Sequence, residues 1–184
     1  MMEYSKLYEK SLACKISEKS HICGNFNLRS GLVSDEYFDE YLFESDPSLL
    51  RRIVMRMLMK FTLDMDVVAG VELGGIPIAV VYSQATGIPT RFVRKKRKKY
   101  GTCNIVEGGG VSDLRVVVIE DVVSTGVSLL GAVNSLRDCG AKVCEAMCII
   151  DRCEGGSEIL SNHDVVLHSL FTLNDFARTE VDNE

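Results

Sequence analysis

Two acids and three small residues, set within seven positions, carry the most distinctive chemistry of this chain. Glu120 and Asp121 close the apolar run Val116–Ile119, and Ser124, Thr125 and Gly126 follow at once. The apolar run reads as a buried strand, and the residues after Ser128 read as a helix. In an open α/β sheet, ligands bind outside the carboxyl ends of the strands. A Ser-Thr-Gly turn there offers hydroxyls, backbone N–H groups and a helix N-terminus to a phosphate. The acids cannot also face that phosphate. They suit ribose hydroxyls or a magnesium-bound sugar. Phosphate at one end and a sugar diol at the other describe a phosphoribosyl group.

Two more segments stand out. Glu72-Leu73-Gly74-Gly75 is a tight turn after a short apolar stretch. Arg91, Arg94, Lys95, Lys96, Arg97, Lys98 and Lys99 supply seven of the 21 basic residues. The net charge is -5, which argues against general nucleic-acid binding, so this local block needs another reason.

The elements that must position these residues follow from periodicity and punctuation. Residues 3–15 place Tyr4, Leu7, Tyr8 and Leu12 on one helical face. Residues 25–44 read as irregular, with short extended pieces. Asp46-Pro47 is a good N-cap and first-turn pair, and the apolar face from Leu49 to Leu58 predicts a helix over 47–60. Val67–Ala69 is a short strand ending at Gly70. The turn at 72–75 leads into a helix to about Ala85, and Thr90–Val93 is another strand. Residues 94–110, with the basic block and Gly108–Gly110, read as a mobile loop. The helix after Ser128 ends near Gly140. Val143–Ile150 and Val165–Leu170 are the last strands. Strands alternating with helices predict a parallel sheet in a doubly wound α/β domain. Residues 1–184 read as one domain, with the first ~45 forming a small cap, or hood, over the strand ends where binding crevices lie.

A length of 184 residues, 46% hydrophobic and 26% charged, fits a globular protein with a real core. No apolar run approaches the ~20 residues needed to cross a membrane, and residues 1–15 lack a signal-peptide apolar stretch, so a cytoplasmic location is the expectation. Cys14, Cys23, Cys103, Cys139, Cys144, Cys148 and Cys153 are odd in number with no C-x-x-C pair, which disfavours a zinc site or a disulfide framework. Cys103 and Cys153 lie near the proposed site loops. His21, His163 and His168 have no ligand spacing.

The strand, acid pair and small turn resemble the PRPP (phosphoribosyl diphosphate) signature of type I phosphoribosyltransferases. Four further segments resemble those of the orotate phosphoribosyltransferases: Phe26–Gly31 with Ser34, Tyr37 and Phe38; Gly70–Pro77; Arg94–Gly101; and Asp151-Arg152 with Glu154-Gly155. The tail His168–Asn174 is also similar. The likeness runs from about Phe26 to Phe176, nearly the whole chain.

The resemblance implies a type I phosphoribosyltransferase-like parallel sheet flanked by helices. It also implies transfer from PRPP to orotate with Mg²⁺, held mainly by substrate oxygens and water. Glu120 and Asp121 would hold the ribose hydroxyls and favour positive charge on the sugar. Val122, Val123, Ser124, Thr125, Gly126, Val127 and Ser128 would form the phosphate loop, with Ser124 also near orotate. Glu72, Leu73 and Gly74 would turn backbone N–H groups to diphosphate, and the Glu72–Leu73 peptide would be strained, with cis as its candidate geometry. Arg94, Lys95, Lys98 and Tyr100 would bind the leaving diphosphate, with Lys95 and Lys98 stabilising its growing charge. The family further implies that this loop reaches into a neighbour's site, making a homodimer. Arg152 would grip the orotate carboxylate with its planar fork, helped by Arg29, Tyr37 and Phe38. Three positions depart from the pattern: Tyr100 replaces a His, Arg29 replaces a common Lys, and Gly74 stands where some members have a Lys. Two other readings stay open. One is transfer to another base; the other is a non-catalytic regulator that uses the basic block on nucleic acid.

Overall fold

The computed structural model describes residues 2–27, 31, 33–96 and 104–180. Its centre is a sheet whose described strands number six. They are β3 (Val67–Val71), β4 (Thr90–Val93), β5 (Val106–Glu107), β6 (Arg115–Val123), β7 (Lys142–Asp151) and β8 (Val166–Thr172), in the order β5-β4-β3-β6-β7-β8. All neighbours pair in parallel except β4 with β5. The order steps outward in opposite directions from β3 and from β6, so a topological switch point lies between them, where such sheets bind ligands.

Val-rich strands form this sheet because both its faces are covered. Val117 and Ile119 join Val68, Met147 and Ile149 in one core. That core packs on α1 (Met2–Ser20), α2 (Glu40–Glu44), α3 (Pro47–Lys60), α4 (Gly75–Thr86) and α7 (Leu173–Glu180). Val116 and Val118 join Val67, Ala69, Val71 and Ala146 in the other core, against α5 (Val127–Asp138) and α6 (Gly156–Ser161). The alternation along β6 follows from the two-residue period of a strand.

The helix predicted over 47–60 has those bounds, and the Asp46 side chain accepts from Ser48 N and Leu49 N at 3.1 Å each. Three expectations change. The stretch 94–110, read as a loop, holds β5, which pairs with β4. The short extended pieces expected within 25–44 are ordered strands, followed by a helix. β1 (His21–Asn27) and β2 (Val33–Phe38) pair as an antiparallel hairpin, and α2 follows with Asp39 as its N-cap. The hairpin strands are mostly solvent-facing and carry no apolar alternation to betray them. The strand predicted to stop at Ile119 continues through the acid pair to Val123, because its ladder with β7 runs on to Val123 opposite Asp151. Among the described residues six cysteines are free thiols, and no helix is long and apolar enough to cross a membrane.

Candidate active site

Parallel pairing brings three strand ends, and the loops that follow them, to one edge. Gly70 of β3 lies opposite Ile119 of β6, and Val123 of β6 lies opposite Asp151 of β7. The turns 72–75, 124–126 and 152–155 therefore leave the sheet side by side. Arg152 N donates to Val123 O at 2.8 Å, tying the third turn to the second.

All three turns lead into helix starts without side-chain caps, Gly155 before the short α6 among them. Gly74 precedes α4 and Gly126 precedes α5, and neither helix start has a side-chain hydrogen bond. No side chain covers the positive ends of their dipoles, the arrangement that receives anions; at α4, where Ile76 N donates to Leu73 O at 3.2 Å and Pro77 has no N–H, Gly75 supplies the amide. Gly126 has φ 76°, and a Cβ there would lie 2.9 Å from Gly156 backbone atoms. Glycine is required for both reasons. The Glu72–Leu73 peptide is cis, as the resemblance suggested.

Gly75 is needed for closeness. A Cβ on it would sit 2.2 Å from Ile119 O, a backbone atom with no freedom to swing aside. Gly75→Ala should therefore push α4 off β6 immediately before the acids. We expect a loss of about 1–3 kcal/mol by denaturant unfolding, in the range of overpacked cores. An unchanged unfolding midpoint would show that the α4–β6 approach is softer than this.

The acids sit between the starts of α4 and α5. Glu120 and Asp121 are each 7% exposed. Burial, then the neighbouring Asp121 charge, push the Glu120 carboxyl up to about 10, while Lys95 pulls it down. Asp121 Oδ1 accepts from Val122 N at 2.6 Å. Two residues that the sequence did not flag join them from α2. Glu44 is also 7% exposed, and its carboxyl meets that of Asp121. Burial, then the charges of Asp121, Glu40, Glu44 and Glu120, raise the Tyr41 phenol. A five-residue helix shows too little period to be found in a sequence, so neither residue had a signal.

The departure at Gly74 has a physical reason here. A Cβ on Gly74 would lie 1.8 Å from Asp121 Oδ2 and 2.7 Å from Glu44 Oε1. The paired carboxyls fill the space that any side chain would need.

The root of the basic segment is pinned on two sides. Arg94 N donates to Ile105 O at 2.9 Å, and Lys95 N donates to Glu72 Oε2 at 2.9 Å. Glu72 N in turn donates to Val93 O at 2.8 Å. A cavity of about 410 Å³ opens beside this root, lined by Glu72, Ile76, Phe92, Val93, Arg94 and Glu107. Lys98, Tyr100 and Cys103 of the same segment, and Arg29, lie outside the described residues.

The other expected residues divide. Leu73, Thr125, Val127 and Ser128 are exposed at the edge and Ser124 is half-buried. Val123 is buried in one core and Val122 packs against the other, so their part in the loop is backbone. Arg152 Nε pairs with Glu154 Oε1 at 3.1 Å on an exposed surface. Tyr37 is exposed, its ring 5.3 Å from Phe26. Phe38 packs inward, 6.5 Å from Phe43 and 6.0 Å from Phe176 between ring centres, which gives it a core role. Asp151, 8% exposed, accepts from Cys153 N at 2.8 Å and shapes the turn that carries Arg152.

Residues 48–178 match the model of the phosphoribosyl transferase domain. The chain is 42% identical over 164 residues to an orotate phosphoribosyltransferase of a Nocardioides species, covering 89% of this chain and 92% of that protein. The crystal structure of orotate phosphoribosyltransferase from Aeropyrum pernix is similar with a TM-score of 0.81 and 31% identity, over 94% of this chain and 99% of that one. The Mycobacterium tuberculosis H37Rv orotate phosphoribosyltransferase in complex with 5-phospho-α-D-ribosyl 1-diphosphate gives a TM-score of 0.76 and 29% identity, over 92% and 98% of the two chains.

Proposed function

The chain belongs to the phosphoribosyltransferase family, and from that premise we infer that it transfers the phosphoribosyl group of PRPP to orotate. The products are orotidine 5′-phosphate and diphosphate, a step of pyrimidine nucleotide synthesis. One observation carries the assignment of the site: the acid pair lies at the switch point of the sheet, between two helix starts that lack side-chain caps.

The division of labour follows from charge. The 5′-phosphate takes the turn Ser124–Gly126 and the start of α5, where hydroxyls and amides point at an anion. The diphosphate takes the turn Glu72–Gly74 and the start of α4. The ribose lies between them, over Glu120 and Asp121. As the bond from ribose C1 to diphosphate breaks, the sugar gains positive charge, and the Asp121 carboxylate stabilises it because it is fixed in advance in a water-poor site, with Glu120 holding the ribose hydroxyls. Arg94, Lys95 and Lys98 neutralise the departing diphosphate, with Tyr100 as a hydrogen-bond donor to it. Arg152 holds the orotate carboxylate once its weak surface pair with Glu154 opens. Arg29 and Tyr37 complete the orotate side, and residues 1 to about 45 serve as the cap that excludes water.

The donors fit magnesium. The acids near the sugar are hard oxygen groups, which suit a magnesium-bound ligand. Mg²⁺ prefers to keep water and take substrate oxygens, so PRPP itself would hold the ion. When bound it neutralises diphosphate charge. A cytoplasmic homodimer completes the reading.

The test is substrate choice. With PRPP and Mg²⁺, ultraviolet absorbance should show orotate consumed far faster than uracil, adenine or hypoxanthine. Faster turnover of a purine would sink the assignment and favour transfer to another base. Salt-sensitive RNA or DNA binding without turnover would favour the regulator.

A further inference from the structure

Glu44 sits in the acid cluster without an assigned part in the reaction. It reaches there because Asp39 caps α2, its side chain accepting from Tyr41 N at 3.0 Å and so fixing the helix start. Phe43, fully buried beside it, anchors α2 to the core. Glu44 Oε1 is buried, and no N–H or O–H among the described residues donates to it. What it meets instead is the Asp121 carboxyl, over the gap that Gly74 leaves. Two carboxylates so close cannot both be ionised at low cost, whereas one shared proton satisfies both oxygens.

We propose that Glu44 is a positioning residue for the transfer reaction: its protonated carboxyl donates a hydrogen bond to Asp121 and fixes that carboxylate for the ribose hydroxyls. This rests on the functional reading above. The charged groups facing Glu44 agree in sign. Burial raises Glu44 most, and Asp121 of β6 and Glu40 and Asp39 of α2, all acids, add to it and take it to about 9, with the neutral Tyr41 phenol also in reach. The group is raised by folding, so its proton is held below about pH 9 and released above it. Above that pH two negative charges repel, and Asp121 loses its fixed position. The device also couples the N-terminal segment to the chemistry, because α2 supplies the proton that orders β6.

Glu44→Gln keeps a donor of the same shape, and Glu44→Leu removes it. For Glu44→Leu we expect kcat/KM for PRPP to fall about tenfold or more, the worth of one hydrogen bond to a charged group. The KM for orotate should hardly move. Glu44→Gln should keep at least about a third of wild-type activity, since its hydrogen bond survives. Its alkaline decline in kcat/KM should shift upward from that of wild type, because an amide does not ionise. PRPP binding by calorimetry should follow the same order, and it reads Glu44 even if orotate proves to be the wrong base. A wild type that binds PRPP but leaves orotate untouched overturns the orotate assignment alone. A Glu44→Leu protein with wild-type PRPP affinity and turnover overturns the inference. If Glu44→Leu fails to fold, Glu44→Gln decides: an alkaline limb identical to that of wild type overturns it.

Discussion

Asp121→Asn should lose turnover by about a hundredfold or more, the scale of other electrostatic contributions to a charged transition state, while remaining folded. The residue sits where sequence and geometry converge. It is buried, it lies near the C-terminal end of β6, and it accepts from Val122 N at 2.6 Å. Asparagine preserves the shape and, through its carbonyl oxygen, the bond from Val122. The amide NH2 then stands at the Oδ2 position beside Glu44, where it donates to that carboxyl and does not accept from it. What it removes is the negative charge beside the sugar as positive charge develops there. The loss should therefore appear in kcat, with a smaller change in the KM for PRPP, since a ground-state hydrogen bond to ribose survives. Circular dichroism and the unfolding midpoint should match wild type. A variant within a few-fold of wild-type kcat would reduce the acid pair to a turn with no electrostatic part in the reaction.

How much of this was legible in the sequence depends on where each signal lives. The sheet was legible because parallel strands are buried on both faces and read as Val-rich runs, and the Asp46-Pro47 start of α3 because capping chemistry is local. The acid pair and the Ser-Thr-Gly turn were legible because one short segment holds them all. Glu44 was not, since its meaning comes from a contact with a residue 77 positions away that folding alone creates. Gly74 shows the middle case. Its departure from the family pattern is visible in the chain, but the reason, two carboxyls filling the space of a side chain, is visible only in the fold. Phe38 carries a part that the sequence did not show. An aromatic residue beside an expected substrate segment reads as a ligand contact, yet its ring completes a core with Phe43 and Phe176.

Mixing two dead variants should restore activity if the active sites are shared between subunits. The basic segment leaves the sheet from a firm root, Arg94 on Ile105 and Lys95 on Glu72. Only main-chain N–H groups make those two bonds, so Lys95→Ala leaves the root intact; in the proposed reading it removes one charge from the diphosphate, and it also removes the charge that favours the ionised Glu120 of its own chain. Asp121→Asn damages the site's own side. Each variant alone should be nearly inactive. Under subunit exchange, random pairing makes about half the dimers mixed, and each mixed dimer has one site carrying both lesions and one carrying neither. Activity should therefore return toward roughly a quarter of wild type, by the counting that a symmetric dimer imposes. If Lys95 served its own chain, every site in the mixture would carry one lesion and nothing would return. Native mass spectrometry of differently tagged subunits establishes that exchange has occurred. With mixed dimers present, absent recovery refutes the shared site and leaves the loop acting on its own chain, whereas recovery near a quarter fixes both the dimer and the direction in which Lys95 reaches.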